Sequence, residues 1–107
     1  MKRIRVIPVL LIDTNGGLVK TIKFRKRTYI GDPINAVKIF NGKEVDELLI
    51  LDIDASRDKR EPNLPLITDI VSEAFIPVSY GGGVSNIYQM EQLFHAGIEK
   101  LYCGRWR

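Results

Sequence analysis

Apolar residues recur in short, almost uninterrupted runs separated by segments of helical spacing, and this alternation most restricts the fold. The runs are Ile4–Ile12 (IRVIPVLLI), Leu48–Ile53 (LLILDI), Ile76–Tyr80 (IPVSY) and Glu99–Cys103 (EKLYC). A strand with one wetted face alternates apolar and polar residues, whereas continuous runs suit strands covered on both faces, as in a parallel sheet. Between the runs lie three helical patterns. Pro33 takes a first helical position after Asp32, Ile34, Val37, Ile39 and Phe40 follow at helical spacing, and Asn41-Gly42 supplies a stop. Leu64–Phe75 carries Leu66, Ile67, Ile70, Val71 and Ala74 on one face. Ser85/Asn86 cap a third helix with a stripe of Ile87, Met90, Leu93 and Phe94, ended by Gly97. The order is β-α-β-α-β-α-β with short connections, an α/β unit. Periodicity alone leaves two architectures open: a complete small open sheet, or half the wall of a closed barrel. In both, chemistry belongs in the loops after the strands' carboxyl ends, here Asp13–Gly17, Asp52–Arg60, Gly81–Ser85 and Gly104–Arg107.

At 107 residues the chain has room for one core and not for two ordinary ones. No run approaches the ~20 apolar residues that span a bilayer, so no membrane partner is expected. The start MKRIRVIPVLLID is basic and then apolar, but no small-residue cleavage site follows, which reads as a cytoplasmic start. The net charge of +3 is modest, and the basic cluster Lys20–Arg27 (KTIKFRKR) reads as a solvated loop, with no nucleic-acid partner expected. The single cysteine, Cys103, excludes an internal disulfide, fits a reducing compartment and reads as a buried spare thiol.

The stretch Val78–Asn86 (VSYGGGVSN) puts three glycines, Gly81 to Gly83, between a strand and a helix start. Glycines let the backbone approach a ligand, and a helix N-terminus attracts a phosphate. A tight strand-to-helix turn needs one or two glycines, so the third tilts the reading towards an anion site. The pattern matches neither a dinucleotide fingerprint nor a Walker loop. Asp52 and Asp54 close the second strand, where a carboxylate orients a hydroxyl or takes a proton. For Asp54, capping or pairing with Arg57, Lys59 or Arg60 is the preferred role. Asp13 is a third candidate, although DTNGG is also ordinary turn composition. His95 lies on the third helix, away from this end, and reads as an ordinary surface or core histidine. No Cys/His/carboxylate spacing suggests a metal, and no cofactor is expected.

Taken in order, RVIPVLLID, GGLVKT, GDP, VDELLILDIDAS and IPVSYGGGV resemble the cyclase subunit of imidazole glycerol phosphate synthase, a (βα)8 barrel of histidine biosynthesis. The closer likeness is to its paralogues in surface-polysaccharide gene clusters, through IPVLL, NGGLVKTIKF and YIGDPINAVKIFN. The resemblance runs from about residue 2 to residue 101, the amino-terminal half of the family's barrel. It implies a parallel (βα)3β half of a TIM-type barrel and a synthase (lyase) chemistry. A glutaminase partner then supplies ammonia that is added to a phosphorylated small-molecule substrate; in the paralogues the chemistry is sugar amidination. On matching positions it assigns Gly82 and Gly83 to one terminal phosphate, and Lys20 and Asp52 to the substrate end. Arg5, Glu47 and Lys100 match three members of the charged gate through which ammonia enters.

The resemblance is uneven. The family's first acid–base Asp falls here on Leu11 or Ile12, with Asp13 close but not matching, which puts imidazole-ring closure in doubt and favours the paralogues. Asp13 and Asp52 remain the catalytic candidates. The Asn-Thr pair of the phosphate site reads Gly104-Arg105. Residues 1–103 are expected to form the half-barrel domain and 104–107 an atypical tail. A four-stranded wall has two open edges, so self-association is expected. The isolated chain is expected to be inactive.

Overall fold

The computed structural model describes residues 5–13, 16–22, 26–54 and 61–102, with the backbone alone for 20–22 and 26–30. Among these, strands β1 (Val9–Ile12), β2 (Leu18–Ile22), β3 (Lys26–Gly31), β4 (Leu48–Asp52), β5 (Val78–Gly81) and β6 (Lys100–Tyr102) form one sheet in the order β3-β2-β1-β4-β5-β6. Helices α1 (Pro33–Asn41), α2 (Leu64–Glu73) and α3 (Ile87–Ala96) connect β3 to β4, β4 to β5 and β5 to β6. β1, β4, β5 and β6 are mutually parallel in sequential order.

Sequential order decides between the two architectures left open by periodicity. Right-handed crossovers between consecutive parallel neighbours all land on the same face of the sheet. Leu10 and Ile12, Leu48 and Ile50, and Val78 and Tyr80 accordingly share one buried cluster with Val37 of α1, Ile67 and Ile70 of α2, and Leu93 of α3. The alternate residues Val9, Leu11, Leu49, Leu51, Ser79, Gly81 and Tyr102 fall on the opposite face. Helices confined to one face of a sheet whose parallel strands run in sequential order is the arrangement of a barrel wall, not of a doubly wound sheet.

Each helix begins at a side-chain cap. Asp32 accepts from the Ile34 N–H (3.0 Å), Asn63 from the Leu66 N–H (3.2 Å) and Asn86 from the Gln89 N–H (2.8 Å). Proline occupies the first turn of α1 and α2, where no N–H is needed. Asn41 ties two helix ends together, its amide donating to the Glu73 carbonyl (2.7 Å) and accepting from the Phe75 N–H (2.9 Å). That second bond is where α2 gives way to an extended chain, two residues before the end expected from periodicity.

Two expectations are corrected. The first strand begins at Val9 and not Ile4: Pro8 has no N–H, and the Val6 N–H goes to the Asp46 side chain (2.7 Å). Residues 6–8 nonetheless run beside the β4 approach, with the Val6 and Pro8 carbonyls accepting from the Asp46 (2.9 Å) and Leu49 (3.0 Å) N–H groups. The basic segment is not simply a loop. Lys20–Ile22 and Lys26–Arg27 belong to an antiparallel hairpin, β2–β3, with a register shift at Leu18/Val19. Its alternation is masked by basic residues, and among the described residues it pairs with β1 at Ile12 and Leu18.

Candidate functional site

The carboxyl ends of β4 and β5 are held together by a glycine. Gly82 has φ +123°, and a Cβ there would stand 2.6 Å from the Asp52 carbonyl oxygen and 3.3 Å from the Asp52 Cβ. Only glycine permits this approach, so the loop after β5 lies directly on the end of β4. Gly83 follows with φ +58°, and the chain then turns into α3. The glycine run therefore has a structural duty whether or not an anion binds. Gly81 is different: it belongs to β5, and a Cβ would meet the tip of the Leu51 side chain at 2.7 Å.

Past the glycines, Gln89 ties the loop to α3. Its Oε1 accepts from the Ser85 N–H (2.8 Å) and the Ser85 hydroxyl (3.1 Å), while Asn86 accepts the Gln89 N–H. This reciprocal cap fixes the helix start beside Gly82-Gly83 and explains why Gln89 is buried on an otherwise wetted turn. Asn86→Ala is expected to lower stability by about 1 kcal/mol, read as a fall in the thermal midpoint.

Asp52 sits under this loop and is buried, with its Oδ1 accepting from the Asp54 N–H (3.1 Å). Asp54 is buried as well; its expected partners Arg57, Lys59 and Arg60 lie outside the described residues. Asp13 organises the turn after β1, its Oδ1 accepting from Gly17 (3.1 Å) and its carbonyl from Gly16 (3.0 Å). Both catalytic candidates thus shape turns at the carboxyl end of the strands. Of the two positions the resemblance offered for the missing acid–base Asp, Leu11 is on the inward face and Ile12 is fully buried beneath the helices. Lys20 lies on β2, one residue past Val19, and its side chain is outside the described set, as are Cys103, Gly104 and Arg105.

The other end of the same strands carries charge. Glu47 immediately precedes β4 and is buried, and the Lys100 Nζ at the start of β6 lies 3.5 Å from its Oε1. The Lys100 side chain is 55% exposed and that of Glu47 4%, so the lysine stands between the buried carboxylate and water. Arg5 is at the same end, preceding Val6, which bonds to Asp46. Inside this end, Ser79 is opposite Leu49 and Lys100 in register and wholly buried, and its hydroxyl has no partner among the described residues. Sequence reasoning passed over Ser79; a polar residue inside the apolar run IPVSY was the signal. His95 is exposed on α3, in a groove with Leu64, Thr68 and Tyr88 on the helical face. Among the described residues no group of His, Cys, Asp and Glu could hold a metal, and no helix is long and apolar enough to cross a membrane.

A wall of parallel strands in sequential order with its helices on one face is part of a (βα)8 barrel. The chain belongs to the histidine biosynthesis protein family, which matches residues 5–106. Over 101 residues it is 54% identical to a Pseudomonas aeruginosa protein described as "Putative imidazole glycerol phosphate synthase subunit hisF2", covering 94% of this chain and 40% of that one. A similarly described protein of Leptospira interrogans is 52% identical with 39% of it covered, and one of Vibrio vulnificus 54% identical with 38% covered. The chain spans about two fifths of the length of these curated relatives. The fold is thus a partial half of the cyclase-type barrel, with an antiparallel hairpin added between β1 and α1.

Proposed function

We propose that this chain is the amino-terminal half of a synthase subunit that takes ammonia from a glutaminase partner and adds it to a phosphorylated substrate. The product is imidazole glycerol phosphate or, in the paralogue chemistry, an amidinated sugar. One observation carries the reading: the Glu47–Lys100 pair and the Gly82–Asp52 contact lie at opposite ends of the same parallel strands. In this reading the charged end, Arg5, Glu47 and Lys100, faces the glutaminase and admits ammonia. At the glycine end, Gly82 and Gly83 hold a terminal phosphate, and Lys20 and Asp52 lie at the substrate end beside it. Ammonia passing between them meets the buried Ser79 hydroxyl. The setting is cytoplasmic, and the 107 residues alone do not turn over substrate and self-associate through their open sheet edges.

A second reading is a non-catalytic, phosphate-binding or glutaminase-docking half barrel. The apolar Leu11 on the inward face, where the family resemblance calls for an acid–base carboxylate, favours it.

The test is glutaminase stimulation together with ammonia-dependent turnover of the histidine-pathway ribonucleotide, with and without an added carboxyl-terminal half. The chain is expected to stimulate its glutaminase, and Lys100→Met to reduce that stimulation at least tenfold by leaving Glu47 without its cation. Turnover with the added half supports the synthase reading, and stimulation without turnover supports the docking reading. Absence of both effects refutes the two together.

A further inference from the structure

An Asn-Gly pair, Asn41-Gly42, closes α1. Asn-Gly is the dipeptide that loses its side-chain amide most easily, because a glycine without a Cβ lets its own nitrogen reach the preceding side chain. The backbone does not require glycine here. Gly42 has φ −89°, and a Cβ on it would meet nothing closer than the Ile39 carbonyl oxygen at 3.7 Å, an ordinary contact. The fold instead immobilises both groups that would react. The Asn41 Nδ2 donates to the Glu73 carbonyl (2.7 Å), its Oδ1 accepts from the Phe75 N–H (2.9 Å), and the Gly42 N–H donates to the Ile39 carbonyl (3.2 Å). While the ends of α1 and α2 stay docked, these three bonds keep the amide carbon and the Gly42 nitrogen apart. The tie lies at the surface, with the Phe75 side chain 84% exposed, so a local opening brings the pair into water.

We propose that Asn41 is a latent deamidation site, guarded by the tie between α1 and α2 and released when that tie opens. In the open chain the Gly42 nitrogen gives up its proton and bonds to Asn41 Cγ. The Cγ–Nδ2 bond breaks, and ammonia leaves carrying that proton. Water then opens the resulting succinimide at one of its two carbonyls, giving aspartate or, with the main chain rerouted through the side chain, isoaspartate. Neither product restores the tie. Aspartate still accepts from Phe75 but has no donor for the Glu73 carbonyl, and its charge falls where α1 and α2 both end, at the negative pole of two helix dipoles. Isoaspartate lengthens the main chain by a methylene in the last turn of α1. A transient opening thereby becomes permanent.

Peptide mapping by mass spectrometry, which separates Asn41 from the chain's other Asn-Gly pair, Asn15-Gly16, follows conversion over days in native buffer and in urea. Conversion at Asn41 is expected to be at least tenfold slower in the folded chain. Opening is fast relative to this chemistry, so the folded rate is the unfolded rate scaled by the open population, and hydrogen-exchange protection of the Phe75 amide is expected to match that factor. Phe75→Pro removes the donor to Asn41 Oδ1, and Ala74 at ψ 134° already has the extended conformation that precedes proline. This variant is expected to speed conversion in the folded chain at least threefold. Gly42→Ala is expected to slow it at least tenfold in urea while leaving the thermal midpoint unchanged. Asn41→Asp, which reproduces one product, is expected to lower the midpoint by roughly 5 °C or more. Equal rates at Asn41 in native buffer and urea, or a folded Phe75→Pro variant with an unchanged rate, overturn the guarding role. Absence of conversion in urea overturns the site itself. If Phe75→Pro does not fold, the comparison of wild-type conversion with Phe75 exchange decides, and conversion faster than the exchange-derived open population overturns the proposal.

Discussion

Gly82→Ala is expected to lower the thermal midpoint by roughly 10 °C or more and to abolish anion binding at the loop after β5. A side chain at positive φ costs on the order of 1–3 kcal/mol, and here it also meets main chain. The Asp52 carbonyl oxygen, 2.6 Å from the added Cβ, cannot rotate aside, because β4 is hydrogen-bonded between β1 and β5. The loop must lift instead, and both contributions together come to at least ~2 kcal/mol, where each kcal/mol shifts the midpoint by ~4–8 °C in a domain of this size. Gly81→Ala is the control. Its Cβ crowds the end of the Leu51 side chain at 2.7 Å and otherwise makes ordinary contact with the Tyr102 Cβ and carbonyl oxygen at 3.5 and 3.6 Å, and an off-rotamer leucine costs about 0.5–1.5 kcal/mol. A melt in which both variants lose the same amount would show that the loop does not rest on Asp52.

Ile50→Ala is the second large effect, expected to cost ~2–5 kcal/mol. Ile50 is fully buried at the middle of β4, with Leu10 of β1 on one side in register and Tyr80 of β5 on the other, all three pointing into the helical face. Removing its outer carbons leaves a void that neither hydrogen-bonded neighbour can close. Against a typical domain stability of ~5–15 kcal/mol, the loss takes a large share of the whole. Leu49→Ala, one residue away on the inward and half-buried face, is expected to cost less than half as much. Urea unfolding of the two variants side by side checks this, and equal losses would mean the inward face is packed as tightly as the helical one.

Most of the wall was legible in the sequence because continuous apolar runs such as Leu48–Ile53 and helix signals such as Asp32-Pro33 and Asn86 are local. The β2–β3 hairpin was not legible: Lys20, Lys26 and Arg27 sit on its strands, and their charge masks the period-two pattern. At the site, the glycine run was conspicuous, but its reason was not. That Gly82 is required by the Asp52 backbone, whereas Gly81 is required by neither backbone nor φ, depends on the register of β4 against β5. The Glu47–Lys100 pair joins residues far apart in sequence whose opposite charges give no local sign of meeting. Ser79 is a single hydroxyl in an apolar run, a faint local signal that gains meaning from its depth on the inward face.

The Gly82-Gly83 loop is proposed as an anion cradle and not only a tight turn. Titrating inorganic phosphate while following the backbone amide resonances of the folded chain by NMR tests this most directly. Saturable shifts concentrated at Gly82 and Gly83, lost in Gly82→Ala, are the predicted result. Amides there that stay unmoved at saturating phosphate, or shifts confined to other parts of the chain, would contradict it.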